Sequence, residues 1–233
     1  MDKKIAILQS NYIPWKGYFD IIRNVDEFII YDHVQFTKND WRNRNIIKTQ
    51  NGCEWLTIPV YRFNLQQKIN ETKISNTNWT KKHWNSIQNS YAKAEYFYKY
   101  KEIFEDLYLN QLQRVSLLSD INATFIRQIN KILNINSKIS FSADYSLMAG
   151  KNEALVNLCK QAKAKKYISG LAAKNYINES LFATENIEVQ WIDYCRYPEY
   201  TQLHGAFQHN VSILDLIFNE GPHAKKYLKD FTK

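Results

Sequence analysis

The chain has 233 residues, 45% of them apolar and 15% aromatic, with a formal net charge of +8. This length and apolar share are ample for a hydrophobic core and exclude a disordered chain. The apolar runs, such as Ile5-Ala6-Ile7-Leu8, are a few residues long, far short of the roughly 20 that a membrane-spanning helix needs.

Met1-Asp2-Lys3 leads straight into a strand-like run, so no signal peptide is expected and the protein is expected in the cytoplasm. Lys4 to Gln9 reads as a short buried strand. The loop Ser10–Lys16 follows, then helical spacing from Gly17 to Asn24, then a second strand, Glu27–Tyr31, ending at Asp32. A strand, helix and strand in 32 residues predict a parallel pair. Gln35–Lys48 is polar and arginine-rich and reads as a functional loop with little regular structure. Trp55–Val60 is predicted as a strand, and about 80–133 as a helical insertion. Further strands are expected at Lys138–Ser142, Lys166–Ser169 and Ile187–Ile192. Helices are expected at Asn152–Ala164, Ala172–Tyr176 and Ser212–Asn219, the last with Ser212 as N-cap. Alternating strands and helices predict a doubly wound, mostly parallel α/β sheet, Rossmann-like, with the whole chain 1–233 forming one domain.

In such sheets, ligands bind beyond the carboxyl ends of the strands. Gln9, Asn11, Tyr12, Trp15, Lys16, Gly17 and Tyr18 occupy that edge after the first strand, where free N–H groups and a helix N-terminus suit an anion. Tyr12 or Trp15 would offer a stacking surface. Asp32 ends the second strand and is expected to face the same crevice, with His33 beside it as a general acid or base. Gln35, Lys38, Trp41, Arg42, Asn43 and Arg44 follow; arginine forks bind carboxylates and phosphates bidentately. Ser169, Gly170, Lys174 and Tyr176 form a second strand–Gly–helix junction. The segment after the last strand adds Asp193, Arg196, Tyr197, Tyr200, Gln202 and His204; a thiol site from Cys195 and His204 is disfavoured. The three cysteines, Cys53, Cys159 and Cys195, form no CxxC pair, which argues against zinc and disulfides and for reduced thiols. No Walker loop, GxGxxG, HExxH or GxSxG occurs, and no metal ligands are assigned; a nucleotide with Mg²⁺ stays open as cofactor. The basic charge suits nucleic acid, anionic headgroups or a phosphorylated substrate, although a generally lysine-rich surface would give the same value.

The segments ILQSNYIPWKGYFDII, DEFIIYDHVQFTKNDWRNRN, YISGLAAKNYI and DYCRYPEYTQLHGAFQHNVSILDLIFNEGP closely resemble the WbqC-like family, over nearly the whole chain. That resemblance implies a place in bacterial O-antigen or other surface-polysaccharide synthesis, with glycine transfer to a sugar as the suggested activity. It implies site roles for Gln9, Asn11, Tyr12, Pro14, Trp15, Gly17, Tyr18, Asp32, Gln35, Trp41, Arg42, Asn43, Arg44, Ser169, Gly170, Lys174, Tyr176, Tyr200, Gln202 and Asp215. His33 stands where relatives often carry a second aspartate. The order strand, Pro–aromatic–x–Gly loop, helix, with a later Ile-Ser-Gly…Lys segment, also resembles the layout of class I nucleotidyltransferases and pantothenate synthetase. Their loop histidines are absent, with Lys16 and Tyr18 in the comparable stretch.

The expected function is therefore acylation of an amino sugar, with Asp32 or His33 taking the amine proton. Asn11 and Gln9 would donate to the oxyanion, and Arg42, Arg44 and Lys16 would anchor phosphates. Expected partners are a nucleotide- or lipid-linked sugar and glycine activated as an adenylate or as aminoacyl-tRNA, with an RNA contact in the latter case. The alternatives are a non-catalytic binder of RNA or nucleotide-sugar, and a nucleotidyltransferase acting on ATP or another nucleoside triphosphate.

Overall fold

A computed structural model describes residues 2–231. The elements in chain order are β1 (Lys4–Leu8), α1 (Lys16–Arg23), β2 (Glu27–Ile30), β3 (Arg44–Thr49), β4 (Gly52–Thr57), α2 (Asn78–Tyr91), α3 (Phe97–Leu109), α4 (Leu118–Ile132), β5 (Lys138–Phe141), α5 (Lys151–Gln161), β6 (Lys166–Gly170), α6 (Glu179–Ala183), β7 (Glu188–Ile192) and α7 (Ile213–Glu220). Five strands form one sheet in the order β5-β2-β1-β6-β7, parallel at every pairing. The chain steps outward from β1 through β2 to β5, then returns to β6 on the other side of β1. The fold is thus α/β and Rossmann-like, and its strand order reverses between β1 and β6.

Side chains alternate across the pleat, and the two faces feed separate cores. Ala6, Phe28, Ile30 and Ile168 pack under α1, α4 and α7. Ile5, Ile7, Ile29 and Tyr167 pack under α5 and α6. Burying each such side chain contributes about 1.5–3 kcal/mol, so both faces hold the sheet rigid and position its carboxyl edge.

Two elements differ from expectation. Arg44–Thr49 is a strand rather than loop, paired antiparallel with β4, which starts three residues before the predicted Trp55. Polar residues hide the alternation: Asn45 and Ile47 point inward while Arg44 and Ile46 are less buried. The turn signal is Asn51-Gly52, with Gly52 at φ 103°. After β6, the predicted helix is a 3₁₀ turn over Leu171–Asn175, and α6 follows, with the Asn178 side chain accepting from Ser180 N–H. Ser212 is the N-cap of α7, accepting from Leu214 N–H at 3.3 Å.

The opposite edge of the sheet is fastened by Glu27. Its carboxylate accepts from Lys3 Nζ (2.7 Å), Lys138 Nζ (2.9 Å), Ser140 Oγ (2.6 Å) and Tyr145 Oη (2.6 Å). Burial alone would raise its pKa; these four donors outweigh it and hold the group at about 2, below the ordinary 4.5. A depressed folded-state pKa gives stability that is complete above 4.5 and is lost as the pH falls through about 2. Glu27→Ala is expected to cost roughly 2–4 kcal/mol near neutral pH, because Ser140 and Tyr145 lose their acceptor. Urea midpoints measured from pH 6 down to 2 check this: the gap between variant and wild type should close on acidification.

Candidate active site

The loop between β1 and α1 is built under strain. Ile13 has φ 36°, a conformation that a β-branched side chain resists, at a cost on the order of 1–3 kcal/mol. The surroundings hold it there. Asn45 Nδ2 donates to the carbonyls of Tyr12 and Ile13, both at 2.9 Å, and Ser212 Oγ donates to Ile13 O at 2.8 Å. Tyr12 N–H donates to Trp41 O at 3.0 Å, and Ile213 N–H to Pro14 O at 2.9 Å. The loop is thereby clamped between β3 and the start of α7. Gly17 is required next: a Cβ there would fall inside the Trp15 indole, which folds back over it.

Above this loop lies a cleft in two lobes. The larger, about 720 Å³, sits at the β1–β6 reversal, floored by Ile7, Leu8, Gln9, Ser169 and Gly170 and flanked by Lys151, Tyr176 and Tyr194. The smaller, about 310 Å³, is lined by Asn11, Pro14, Trp15, Trp41, Asn45 and Asn210. Trp15 and Trp41 are walls of both. Apolar walls with a few convergent polar groups are the usual character of a small-molecule site.

Arg42 stands at the boundary. Its guanidinium donates to Asn11 Oδ1 and, at 3.1 Å, to Gln9 Oε1; Asn11 belongs to the small lobe and Gln9 to the large. Asp40 Oδ2 is 3.7 Å away. Arginine only donates, so both amides must turn their oxygens toward it. That arrangement leaves their NH₂ groups as the donors a ligand could use, and two amides backed by a guanidinium suit developing negative charge. The Arg42 carbonyl is held in turn by Asn122 Nδ2 at 2.9 Å.

At the cleft mouth, the Trp41 wall touches Trp55 with ring centroids 5.3 Å apart, and the Arg44 guanidinium lies 4.0 Å from the Trp55 ring centre. At the other wall, Lys151 Nζ lies 3.8 Å from the Tyr176 ring centre, and Tyr194 packs on Trp15 at 5.4 Å.

Several expected site residues are placed elsewhere. Tyr12 is fully enclosed, bonding Tyr108 Oη (2.6 Å) and His83 Nδ1 (2.9 Å), and offers no face to a ligand. Tyr18 is buried with its hydroxyl on Gln9 O at 3.0 Å, and Asn43 is buried on Ile58 O at 2.9 Å. Asp32 does not face the crevice. It is buried and accepts from Ser10 N–H (2.8 Å), Ser10 Oγ (2.6 Å) and Ser119 Oγ. His33 bonds Ser142 Oγ at 2.7 Å, and burial lowers its pKa. Neither lines either lobe. Gln35 donates to Leu65 O, and Lys38 and Lys174 are exposed without lining the cleft.

Lys16 and Gln202 serve the irregular segment 193–211, which crosses α1. Lys16 is buried among the rings of Tyr197, Tyr200 and Phe207, its Nζ 4.6, 5.3 and 5.7 Å from their centres. Burial pushes its pKa down to about 8, against the pull of Asp20 and Asp215. Asp20 accepts from Tyr197 Oη and from Lys229 N–H, and burial raises its pKa to about 7. Asp215, also raised by burial, accepts from Tyr200 Oη at 2.7 Å and Tyr91 Oη at 3.0 Å. Gln202 accepts from Lys48 Nζ at 2.9 Å. These groups fasten the segment that delivers Tyr194 and Asn210 to the cleft. His204 is engaged by Ser90 O at 2.8 Å, and the Asp193 side chain raises the Cys195 thiol pKa.

Asn210, Lys151 and Trp55 were not among the expected site residues, and Asn45 and Tyr194 fell inside the stretches Asp32–Asn45 and Asp193–His204 without a role of their own. Lys151 follows the rule that served Gln9: it opens a helix at the carboxyl edge. Asn45 and Asn210 are 165 positions apart, and only the fold joins them. Among the described residues, no group of three or more His, Cys, Asp or Glu is arranged to hold a metal ion, and no helix is long and apolar enough to cross a membrane.

No solved structure matches the chain. The uncharacterized protein Rv1507c of Mycobacterium tuberculosis is 47% identical over 228 residues, covering 97% of this chain and 98% of that protein. The model of the WbqC-like protein family matches residues 9–227, a span that contains the β1–α1 loop, Arg42, the small lobe, the large lobe apart from Ile7 and Leu8, and the segment that closes over Lys16. On that match the chain belongs to the WbqC-like protein family.

Proposed function

We propose that the protein is a cytoplasmic transferase that joins an aminoacyl group, glycine, to the amine of a nucleotide- or lipid-linked amino sugar during O-antigen or related surface-polysaccharide synthesis. Family membership supports the sugar context. The observation that carries the acyl-transfer reading is the boundary between the lobes, where the Arg42 guanidinium holds the side-chain oxygens of Asn11 and Gln9, one residue from each lobe. The sugar occupies the amide-lined small lobe and the activated end of the donor the large one. The amine nitrogen attacks the glycyl carbonyl carbon, forming the C–N bond and a tetrahedral oxyanion. Collapse breaks the C–O bond to the leaving group, the phosphate of AMP or the terminal ribose hydroxyl of tRNA, and the amine proton passes to the departing oxygen or to water. With no carboxylate or imidazole among the described residues that line the lobes, catalysis in this reading rests on positioning and on donors to the oxyanion.

The test supplies purified protein with amino-sugar nucleotides and two donors in parallel: glycine with ATP and Mg²⁺, and glycyl-tRNA. A product heavier by one glycyl residue, with amide chemistry, supports the reading. Sugar-nucleotide binding without product from either donor overturns it in favour of a non-catalytic binder. Release of pyrophosphate from a nucleoside triphosphate and a sugar phosphate, without amino acid, overturns it in favour of a nucleotidyltransferase.

A further inference from the structure

We propose that Trp41, Trp55 and Arg44 form a stacking platform for the unpaired 3′ end of an RNA, so that the acyl donor is an aminoacyl-tRNA. The platform deepens the acyl-transfer reading and rests on it for its purpose, though not for its binding.

Of the six tryptophans, Trp15 and Trp191 are half-buried and the other four lie at the extremes. Trp79 and Trp84 are 2% and 1% exposed, as core residues, whereas Trp41 and Trp55 are 40% and 43% exposed. Leaving two large rings partly in water forfeits the burial that would stabilise the fold. The two rings lie against each other, and a guanidinium lies over one of them. Three planar groups in contact, one cationic, are what proteins use to hold unpaired bases, because every base has a π-face. Strand alternation puts Arg44 and Trp55 on the outward face, opposite to buried Asn45 and Leu56.

Position identifies the size of the ligand. Trp41 is a wall of both lobes, while Trp55 lines neither. The larger lobe alone has room for a mononucleotide, so a ring placed beyond the mouth serves a ligand that extends past one nucleotide. A terminal nucleoside in the large lobe would bring its ribose hydroxyl ester to Arg42, Asn11 and Gln9, while the preceding bases lie on Trp41 and Trp55. The Arg44 guanidinium on the platform and the net charge of +8 suit a polyanion better than a neutral saccharide.

The experiment is fluorescence anisotropy of the whole protein with two probes: uncharged tRNA, and a labelled single-stranded RNA carrying its terminal ACCA. Expected results are binding that weakens steeply with salt, and a roughly tenfold or greater loss of affinity in Trp55→Ala and Arg44→Ala, with Trp55→Phe recovering most of it. Trp55 is partly exposed, so thermal melting should show the variants folded. Equal affinity of Trp55→Ala and wild type overturns the proposal. So does RNA binding that is insensitive to salt and displaced by a neutral oligosaccharide. The two readings fail separately: transfer from glycine and ATP with no RNA binding removes the platform alone, and RNA binding without transfer from any donor removes the transferase alone.

Discussion

If the proposed glycyl transfer is the reaction, Arg42→Ala is expected to lower its kcat/KM by roughly 10²–10³, the loss typical when oxyanion donors are lost, while leaving the melting temperature nearly unchanged. The side chain does more than contribute charge. Its two ends hold Asn11 Oδ1 and Gln9 Oε1, and without them both amides are free to flip and present oxygen to a developing oxyanion. Arg42→Lys should therefore stay impaired, because an ammonium cannot reach both carbonyl oxygens in the planar fork geometry of a guanidinium. The fold should survive, since the Arg42 contact with Asn122 is made by the main-chain carbonyl, which every substitution keeps. Steady-state kinetics of the three proteins, with circular dichroism, check this. Undiminished kcat/KM in Arg42→Ala would move the reaction centre away from the boundary of the lobes.

How far the chain could be read before its structure follows from where each signal is stored. The sheet was legible because β1, β2 and β6 are short apolar runs buried on both faces, and the site loop was legible because ligands gather at the carboxyl edge. Gln9, Asn11, Trp15, Arg42 and Gly170 all come to that edge. Tyr12, Tyr18 and Asn43 looked equally suitable in sequence, but a hydroxyl or amide near a site looks the same whether it faces solvent or a buried partner such as His83. Lys16 misled for a related reason. A lysine at a helix N-terminus reads as an anion anchor, and the three rings that enclose it come from positions 197 to 207, far along the chain. The hairpin was hidden because β3 carries Arg44, Asn45 and Lys48, residues that read as loop. Each has a specific employment: Arg44 on Trp55, Asn45 on the strained turn at Ile13, Lys48 under Gln202.

Asp32→Ala is expected to destabilise the protein by about 3–5 kcal/mol, because three buried donors lose their acceptor at about 1–3 kcal/mol each. The carboxylate takes three donors, and Ser10 Oγ passes the connection on by accepting from Asn122 Nδ2 at 2.9 Å, the same amide that holds Arg42 O. Asp32 thus reaches Arg42 through Ser10 and Asn122, as a positioning group. Asp32→Asn separates that role from proton transfer. Ser10 N–H can only donate, so the new amide must put its oxygen there and its NH₂ toward the two serine hydroxyls. Ser10 Oγ would then accept both from the introduced amide and from Asn122, leaving its own proton without a partner, which costs about 1–3 kcal/mol. The asparagine variant should accordingly lie between alanine and wild type in urea midpoint and retain a measurable share of kcat with the wild-type pH profile. Loss of kcat as deep as in Arg42→Ala, in an Asp32→Asn protein of near wild-type stability, would instead make the carboxylate the proton acceptor and require it to reach the cleft.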